Sequence, residues 1–314
     1  MDRFVGYRLD KVLDKRALQV EEDPRSLVSF VLFGVENHVV ETPGMLFPDG
    51  TIIDEICVDG RARFVSWKDN SYEFRDSFEL DGITYIPLQD ELLSKRKVLL
   101  PSGVEEYGSA EQLLEDMVAF MNKYVEADEL NLRFAAVQKM TEWLYEKLPV
   151  LPIINPRGGS DTGKTRLGTV LWHLSFRGLR ADGVLSLSAL FRNAERWKGT
   201  LFINEADIQE GSYSEDSEAT QLIKFYNSRY ERDAAVWRTD KETLRPEVFH
   251  SFGPTILVTR KGFRDDALES RCLVIPMLGR TRRDIPLNLP PEFEEESQHL
   301  RNRLELFRLH NLQR

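Results

Sequence analysis

The sequence predicts an α/β fold in which a parallel sheet carries helices on both faces and follows a smaller β-rich N-terminal domain. In the second half of the 314-residue chain, short apolar segments alternate with helical patterns, namely VLPIIN, GTLFINEAD, PTILVTR and RCLVIPM. Parallel strands are buried on both faces, so apolar runs separated by helices are typical of them. Residues 26–100 instead carry runs rich in Val, Ile and Phe that Pro, Asp and Gly interrupt, which is typical of strands joined by turns.

These patterns divide the chain into three predicted parts. Residues 1–105 form the β-rich N-terminal domain, whose role the sequence does not indicate. Ser109 can cap a helix with apolar residues at helical spacing, and a second helical segment starts from Asp128. We therefore place an α/β core with its leading helices at residues 106–290. Residues 291–314 form a C-terminal helix with acids first and arginines after, an order that suits the helix dipole.

Composition excludes several classes of protein. With 41% hydrophobic and 30% charged residues the chain is an ordinary globular protein, and its net charge of -10 argues against a dedicated nucleic-acid coat, although a local basic patch stays open. Its two cysteines, Cys57 and Cys272, lie in distant segments, so we expect neither a disulfide framework nor a cysteine zinc site. No segment is apolar over about eighteen residues. We expect a soluble cytoplasmic protein without membrane contact.

A glycine-rich segment, NPRGGSDTGKTRLG, joins one apolar strand to the next helix. It satisfies G-x-x-x-x-G-K-[ST], a loop whose backbone N–H groups, together with the following helix, point at phosphate oxygens. Lys164 can reach the β and γ phosphates, and the Thr165 hydroxyl can ligate Mg²⁺. The alternative is a chance match in a glycine-rich turn, which the flanking strand and helix argue against. We predict an ATP and Mg²⁺ site formed by Gly158, Gly159, Ser160, Asp161, Thr162, Gly163, Lys164, Thr165 and Arg166.

The segment LFINEAD, about forty residues downstream, is predicted to be the acid strand of this site. Glu205 is a candidate general base that polarises the attacking water. Asn204 stands where an aspartate is expected for the metal shell. Its amide oxygen can accept a hydrogen bond from a magnesium-bound water, but it adds no negative charge, and Asp207 is the acid that could compensate. The alternative is a strand edge with exposed acids.

Taken in this order, the segments resemble an AAA+ ATPase, and most closely the motor domains of viral and plasmid primase-helicases and related replicative helicases. The resemblance covers roughly residues 125–290. It implies an AAA+ P-loop NTPase core that uses ATP and Mg²⁺ in a homo-oligomeric, hexameric ring. It also implies DNA as a partner, with single strands favoured, and a primase or another replication protein as a second partner. Residues 291–314 would then be a partial lid.

The same resemblance implies roles for two further polar positions. Thr259 or Arg260, at the end of PTILVTR, would be a sensor near the γ-phosphate; the alternative for Arg260 is a surface arginine that ends a strand. Arg271, in ESRC, would be an arginine finger that acts on the nucleotide of a neighbouring subunit, with Arg264 as the alternative finger. The alternative for Arg271 is a local ion pair with Glu269 or Asp266.

A charged segment, NSRYERDAAVWRTDKETLRPEVF, is the candidate DNA contact. Arginines can contact phosphates, and a tryptophan can stack on a base. The alternatives are a solvated hairpin and a tryptophan that belongs to the core. The candidate residues are Arg229, Arg232, Trp237, Arg238 and Lys241.

These observations predict an ATP-binding and hydrolysing motor, a DNA helicase or translocase that acts in replication of a virus, plasmid or mobile element. Two alternatives from other classes stay open. The first is a nucleotide-binding assembly or recruitment module with little hydrolysis, which Asn204 favours. The second is a small-molecule P-loop phosphotransferase, which would be a monomer and would leave ALESRC unexplained.

Overall fold

The structure is a computed structural model that describes residues 38–182, 186–206, 217–239 and 246–313. The strands are β1 (His38–Glu41), β2 (Gly44–Leu46), β3 (Ile52–Val58), β4 (Arg61–Lys68), β5 (Ser71–Arg75), β6 (Phe78–Leu80), β7 (Ile83–Ile86), β8 (Val98–Leu99), β9 (Ile153–Arg157), β10 (Gly178–Ala181), β11 (Leu201–Ile203), β12 (Ala235–Thr239), β13 (Pro246–His250), β14 (Thr255–Leu257) and β15 (Cys272–Pro276). The helices are α1 (Glu91–Ser94), α2 (Ala110–Tyr124), α3 (Glu129–Glu142), α4 (Lys164–His173), α5 (Leu187–Trp197), α6 (Glu218–Ser228), α7 (Asp266–Ser270) and α8 (Glu292–Asn311), with a 3₁₀ turn at Tyr145–Lys147.

A six-stranded sheet in the order β15-β9-β14-β11-β10-β8 forms the centre of the α/β part. Its first five strands are parallel, and β8 joins β10 at the edge in the antiparallel sense. The four apolar segments from the sequence supply β9, β11, β14 and β15. The predicted mixed α/β fold with a parallel sheet is therefore confirmed.

Helices cover both faces of this sheet, because successive side chains of a strand point to opposite sides. On β9, Ile154 belongs to a core cluster that also contains residues of α2, α3, α4 and α8. Its neighbour Ile153 belongs to a second cluster with residues of α5 and α6. The predicted Ser109 cap is present, since its side chain accepts the Gln112 N–H (3.1 Å) at the start of α2.

The strands β2 to β5 form an antiparallel meander whose inner face packs on the last helix, α8. A buried ionic network lies in this contact. Asp54 of β3 accepts hydrogen bonds from Arg177 (2.5 Å) and from Arg308 of α8 (2.8 Å). All three side chains are at most 3% exposed, and Arg308 also pairs with Glu146 (2.7 and 2.8 Å), so the buried charges compensate one another.

By its contacts the chain divides into two units, residues 1–40 with 79–85, and residues 41–78 with 86–314. Within the described residues the first unit contributes to β1, β6 and β7, which form a three-stranded sheet with β7 in the middle. The predicted domain boundaries near residues 105 and 290 stay predictions. Among the described helices, none combines the length and apolar character that a membrane span needs.

Candidate functional site

The loop between β9 and α4 begins and ends at positions that suit only glycine. The Gly158 N–H donates to the Thr259 carbonyl (3.2 Å), and a Cβ on Gly158 would lie 2.5 Å from the Met277 carbonyl oxygen. Gly163 has a φ of +87°, in the left-handed region, directly before α4. A side chain would clash at the first position and be strained at the second. The chain thus turns from the sheet into the amino end of α4, where unpaired N–H groups favour an anion.

Inside the loop, two side chains converge on one carbonyl. Lys164 Nζ donates to the Gly159 carbonyl (2.8 Å), and the Thr162 hydroxyl donates to the same oxygen (3.0 Å). Asp161 adopts a φ of +59°, and Thr165 is exposed at the start of α4. The lysine ammonium is therefore held against the backbone of the loop itself.

Arg166, the last residue of the predicted ATP site, holds another segment. Its guanidinium donates to the carbonyls of Pro286 (3.2 Å) and Leu287, and makes a longer contact with the Tyr124 carbonyl (3.4 Å). These bonds fix the segment after β15 against the end of α2. A nucleotide contact by this guanidinium would require them to break.

Asn204 and Glu205 follow β11 at the same edge of the sheet as the loop, because the parallel strands all end there. The chain rejoins β14 at Ala206, whose N–H donates to the Val258 carbonyl (2.8 Å). Glu205, which lies between Asn204 and Ala206, is exposed and has a φ of +59°. Backbone strain at a non-glycine residue of this kind is enriched at functional sites.

Asn204 retains an acceptor without a partner. Its Oδ1 is shielded from solvent and receives no hydrogen bond within the described residues. Such an orphaned buried oxygen costs about 1–3 kcal/mol. The predicted compensating acid, Asp207, lies outside the described residues. Within the described ranges no group of three or more His, Cys, Asp or Glu side chains could hold a metal.

A buried polar network that the sequence reasoning missed lies below the loop. Asn155 of β9 is fully buried, and its Nδ2 donates to the Leu257 carbonyl (2.5 Å) and to Thr259 Oγ1 (3.0 Å). Its Oδ1 accepts from Arg157 Nε (2.9 Å), and the Arg157 guanidinium pairs with Glu269 (2.7 and 2.8 Å). The network fixes β9, β14 and α7 relative to one another. A polar Asn within the otherwise apolar run IIN was the available sequence signal.

This network also occupies one of the two sensor candidates. Thr259 is 1% exposed and its hydroxyl is engaged by Asn155. Arg260, the next residue, is exposed at the carboxyl end of β14. Of the two, Arg260 is the one whose side chain lies at the surface.

Arg271 lies at the opposite end of β15 from the loop. Its guanidinium donates to Asn227 Oδ1 and lies 5.3 Å from the centre of the Tyr230 ring, while Glu269, the acid expected beside it, pairs with Arg157 instead. β15 pairs with β9 in parallel from Cys272 to Pro276, and the loop follows the last pair. Five residue steps, about 16 Å, therefore separate Arg271 from the loop along the sheet. The alternative finger, Arg264, is exposed.

Arg229 belongs to the core, which corrects the expectation that it contacts DNA. It is 1% exposed, and its guanidinium donates to Thr255 Oγ1 (2.7 Å) and to the carbonyls of Ser251 (2.9 Å), Gly199 (3.1 Å) and Pro254 (2.7 Å). Burial lowers the pKa of this guanidinium to about 10. Its task is to close the turn that precedes β14.

Of the remaining DNA candidates, Trp237 and Arg238 lie on β12 and Arg232 precedes this strand. Trp237 of β12 pairs with Val248 and is 70% exposed, so it is not a core residue. Arg232 is half-buried, with its guanidinium 6.0 Å from the Phe252 ring centre. Arg238 lies on β12, but its side chain is outside what the structure describes, as is all of Lys241.

No protein-family model matches the sequence, and no curated protein matches it significantly. Among solved structures, the apo A form of the C-terminal region of NrS-1 (residues 305–718) aligns with a TM-score of 0.38 and 11% identity over 80% of this chain and 66% of that one. The inhibitor-bound JCV helicase aligns with a TM-score of 0.34 and 12% identity over 64% of this chain and 54% of that one. The chain thus spans just under two thirds of the first structure and about half of the second.

Proposed function

We propose that this chain binds ATP with Mg²⁺ at the loop of residues 158–165 and hydrolyses it as an oligomeric motor of the replicative-helicase type that acts on single-stranded DNA. One observation carries the proposal. The glycine loop, the Asn204–Glu205 turn and Arg260 all follow parallel strands at one edge of one sheet. Ligands of open α/β sheets bind at this edge, outside the carboxyl ends of the strands.

In this proposal each residue has a distinct task. Lys164 would neutralise the β and γ phosphates of bound ATP, and the Thr165 hydroxyl would ligate the Mg²⁺ that accompanies it. Asn204, whose Oδ1 has no hydrogen-bond partner within the described residues, would help to hold the hydrated Mg²⁺ through that oxygen, which would remove the cost of its burial. Glu205, exposed beside it, takes the proton of the attacking water, and Arg260 contacts the γ-phosphate.

Arg271 acts on the nucleotide of a neighbouring subunit. The distance along the sheet between Arg271 and the glycine loop of the same chain exceeds the reach of an arginine side chain. In this proposal Arg271 therefore cannot contact a nucleotide bound to its own chain. An in-trans guanidinium stabilises charge on the transferring phosphoryl group. This task requires Arg271 to exchange the Asn227 carboxamide for phosphate oxygens.

The exposed Trp237 on the β12–β13 hairpin supports single-stranded DNA as the partner, since an exposed indole offers a stacking surface for bases. Replication of a virus, plasmid or mobile element is the setting we propose, with a primase or another replication protein as a further partner.

The test is ATP binding and steady-state hydrolysis, with and without single-stranded DNA. Lys164→Ala should abolish ATP binding, with the exposed Lys147→Ala as its matched control. Glu205→Gln should bind ATP normally but hydrolyse it about 10²–10⁴-fold more slowly. Unchanged ATP affinity in the first variant, or normal turnover in the second, would contradict the proposed site.

A second candidate function is a nucleotide-gated assembly module that binds ATP and hydrolyses it little. Asn204 favours it, because the position that would anchor the metal shell carries no charge. Tight ATP binding without DNA-stimulated turnover in the wild type would select this function over the motor.

A further inference from the structure

Residues 278–287, which follow β15, run beside the glycine loop, and we call this segment the strap. It begins directly after Met277, whose carbonyl oxygen would lie 2.5 Å from a Cβ on Gly158 and whose Cε would lie 3.6 Å from a Cβ on Gly163. It ends where the Arg166 guanidinium, on the first turn of α4, donates to the carbonyls of the strap's last two residues. The strap thus leaves the sheet beside the glycine loop and returns to the helix that follows this loop.

Glu126, between α2 and α3, is a second anchor of the strap. Its Oε2 accepts the N–H groups of Thr281 (2.7 Å) and Arg282 (2.8 Å), and its Oε1 accepts the Thr281 hydroxyl (2.5 Å). The hydrogen bond from the Arg282 N–H, followed by those from Thr281, lowers the pKa of the Glu126 carboxyl below its ordinary value. The carboxyl is therefore ionised at neutral pH, and hydrogen bonds to an ionised acceptor are stronger than neutral ones.

Polar contacts, more than apolar packing, hold the strap in place. The structure describes all of its residues, and among its apolar side chains Ile285 is buried whereas Leu278 and Leu287 are 94% and 80% exposed. Within the strap, the Arg280 guanidinium donates to the carbonyls of Arg282 (2.8 Å) and Ile285 (2.6 Å). A segment that buries little apolar surface opens at low free-energy cost. The strap can therefore move away as a unit when its anchors are lost.

We propose that Arg166 and Glu126 are positioning residues that couple the strap to nucleotide binding, so that ATP binds tightly only while the strap is anchored. The inference rests on the proposed nucleotide site at residues 158–165. Lys164 and Thr165, which would meet the phosphates, share the first turn of α4 with Arg166. An anchored strap fixes this turn in advance, whereas a released strap leaves the turn to be ordered when ATP binds, at the expense of affinity. Arg166, which the loop motif places in the ATP site, thus acts through the strap.

ATP titration of the full chain in the presence of Mg²⁺ tests this coupling. Arg166→Ala and Glu126→Ala should each raise the dissociation constant of ATP about tenfold, because each variant releases the strap. Glu115→Ala is the matched control and should leave this constant unchanged, because the Glu115 carboxylate of α2 binds Arg133 of α3 (2.5 and 3.0 Å) instead of the strap. Circular dichroism with urea unfolding shows whether each variant is folded.

The double variant distinguishes a positioning role of Arg166 from a direct contact with the nucleotide. If both residues act through the strap, Arg166→Ala combined with Glu126→Ala should bind ATP about as weakly as either single variant, because the strap is already released. If Arg166 contacts the nucleotide directly, the two effects are independent and multiply to about a hundredfold loss of affinity. A hundredfold loss would overturn the proposal.

Trypsin reports on the strap itself, because Arg280, Arg282 and Arg283 are cleavage sites within it. Saturating ATP with Mg²⁺ should slow cleavage at these sites about tenfold in the wild type and less in Glu126→Ala. Equal cleavage of the wild-type strap with and without bound ATP would overturn the coupling. A wild type that binds no ATP would defeat the proposed function and the coupling with it. ATP binding that Arg166→Ala and Glu126→Ala leave unchanged would defeat the coupling but keep the nucleotide site.

Discussion

Arg157 and Glu269 form two parallel hydrogen bonds, 2.7 and 2.8 Å long, that tie the last residue of β9 to α7. β9 leads into the glycine loop, and α7 leads to Arg271, so this pair connects the two parts of the proposed site. Glu269 also accepts the Phe263 N–H (2.9 Å). The hydrogen bonds from Arg157 lower the pKa of the Glu269 carboxyl below its ordinary value.

A double-mutant cycle of Arg157→Ala and Glu269→Ala should give a coupling energy of about 1–3 kcal/mol in urea unfolding, because the pair is bidentate and partly buried. Because the pKa of Glu269 is lowered in the folded state, the ionised carboxylate adds to the free energy of unfolding at pH values above the ordinary carboxyl pKa of 4.5. This contribution is lost as pH falls below 4.5. The control cycle is Arg63 with Asp76, a pair in which Asp76 is 86% exposed. Equal coupling in the two cycles would show that the β9–α7 connection has no special strength.

Asn204→Asp should have opposite effects on the free and the nucleotide-bound protein. Without ligand, a carboxylate at a position whose oxygen has no donor among the described residues should lower stability by about 1–3 kcal/mol. With Mg²⁺ and ATP, the added charge should strengthen the metal shell, so the thermal midpoint should rise more than in the wild type. Thermal unfolding with and without Mg²⁺-ATP measures both effects, and Asn70→Asp on an exposed turn is the control. If Mg²⁺-ATP raised the thermal midpoints of the wild type and of Asn204→Asp equally, Asn204 would not face the metal.

Glu55 should make stability depend on pH. Its side chain is 1% exposed, Oε2 accepts the Leu88 N–H (2.9 Å), Oε1 has no partner within the described residues, and burial raises its pKa to about 8. Between pH 4.5 and about pH 8 the folded state binds the Glu55 proton more strongly than the unfolded state does. The protonated Glu55 carboxyl therefore adds its full contribution to the free energy of unfolding below pH 4.5, and this contribution is lost as pH rises through 8.

The wild type should therefore lose about 1.4 kcal/mol for each pH unit across that window, apart from other groups. Glu55→Gln, which cannot ionise, should remove this part of the slope in urea unfolding measured at several pH values. If the free energy of unfolding changed with pH equally in the wild type and in Glu55→Gln, the buried Glu55 carboxyl would not be protonated.

The sequence predicted the parallel sheet and the loop because both depend on local patterns. Apolar runs mark buried strands, and glycines at 158 and 163 mark a tight turn before a helix. The Asn155–Arg157–Glu269 network escaped prediction because Glu269 lies more than one hundred residues after the other two and meets them only when β9 and α7 pack. Arg229 was misjudged for a related reason. An arginine beside other charges has the pattern of a solvated hairpin, and only the tertiary structure supplies the four oxygens that bury it.

Arg229 and Trp237 should separate stability from DNA binding. Arg229→Ala removes a buried guanidinium and leaves carbonyls unpaired, so it should cost about 3–5 kcal/mol in urea unfolding. Trp237→Ala, at a 70% exposed side chain, should change stability by less than about 0.5 kcal/mol. It should weaken binding of a fluorescent single-stranded oligonucleotide by about 1–3 kcal/mol, the value of one stacked base. If folded Trp237→Ala bound the oligonucleotide as tightly as the wild type in an anisotropy titration, Trp237 would not be a DNA contact.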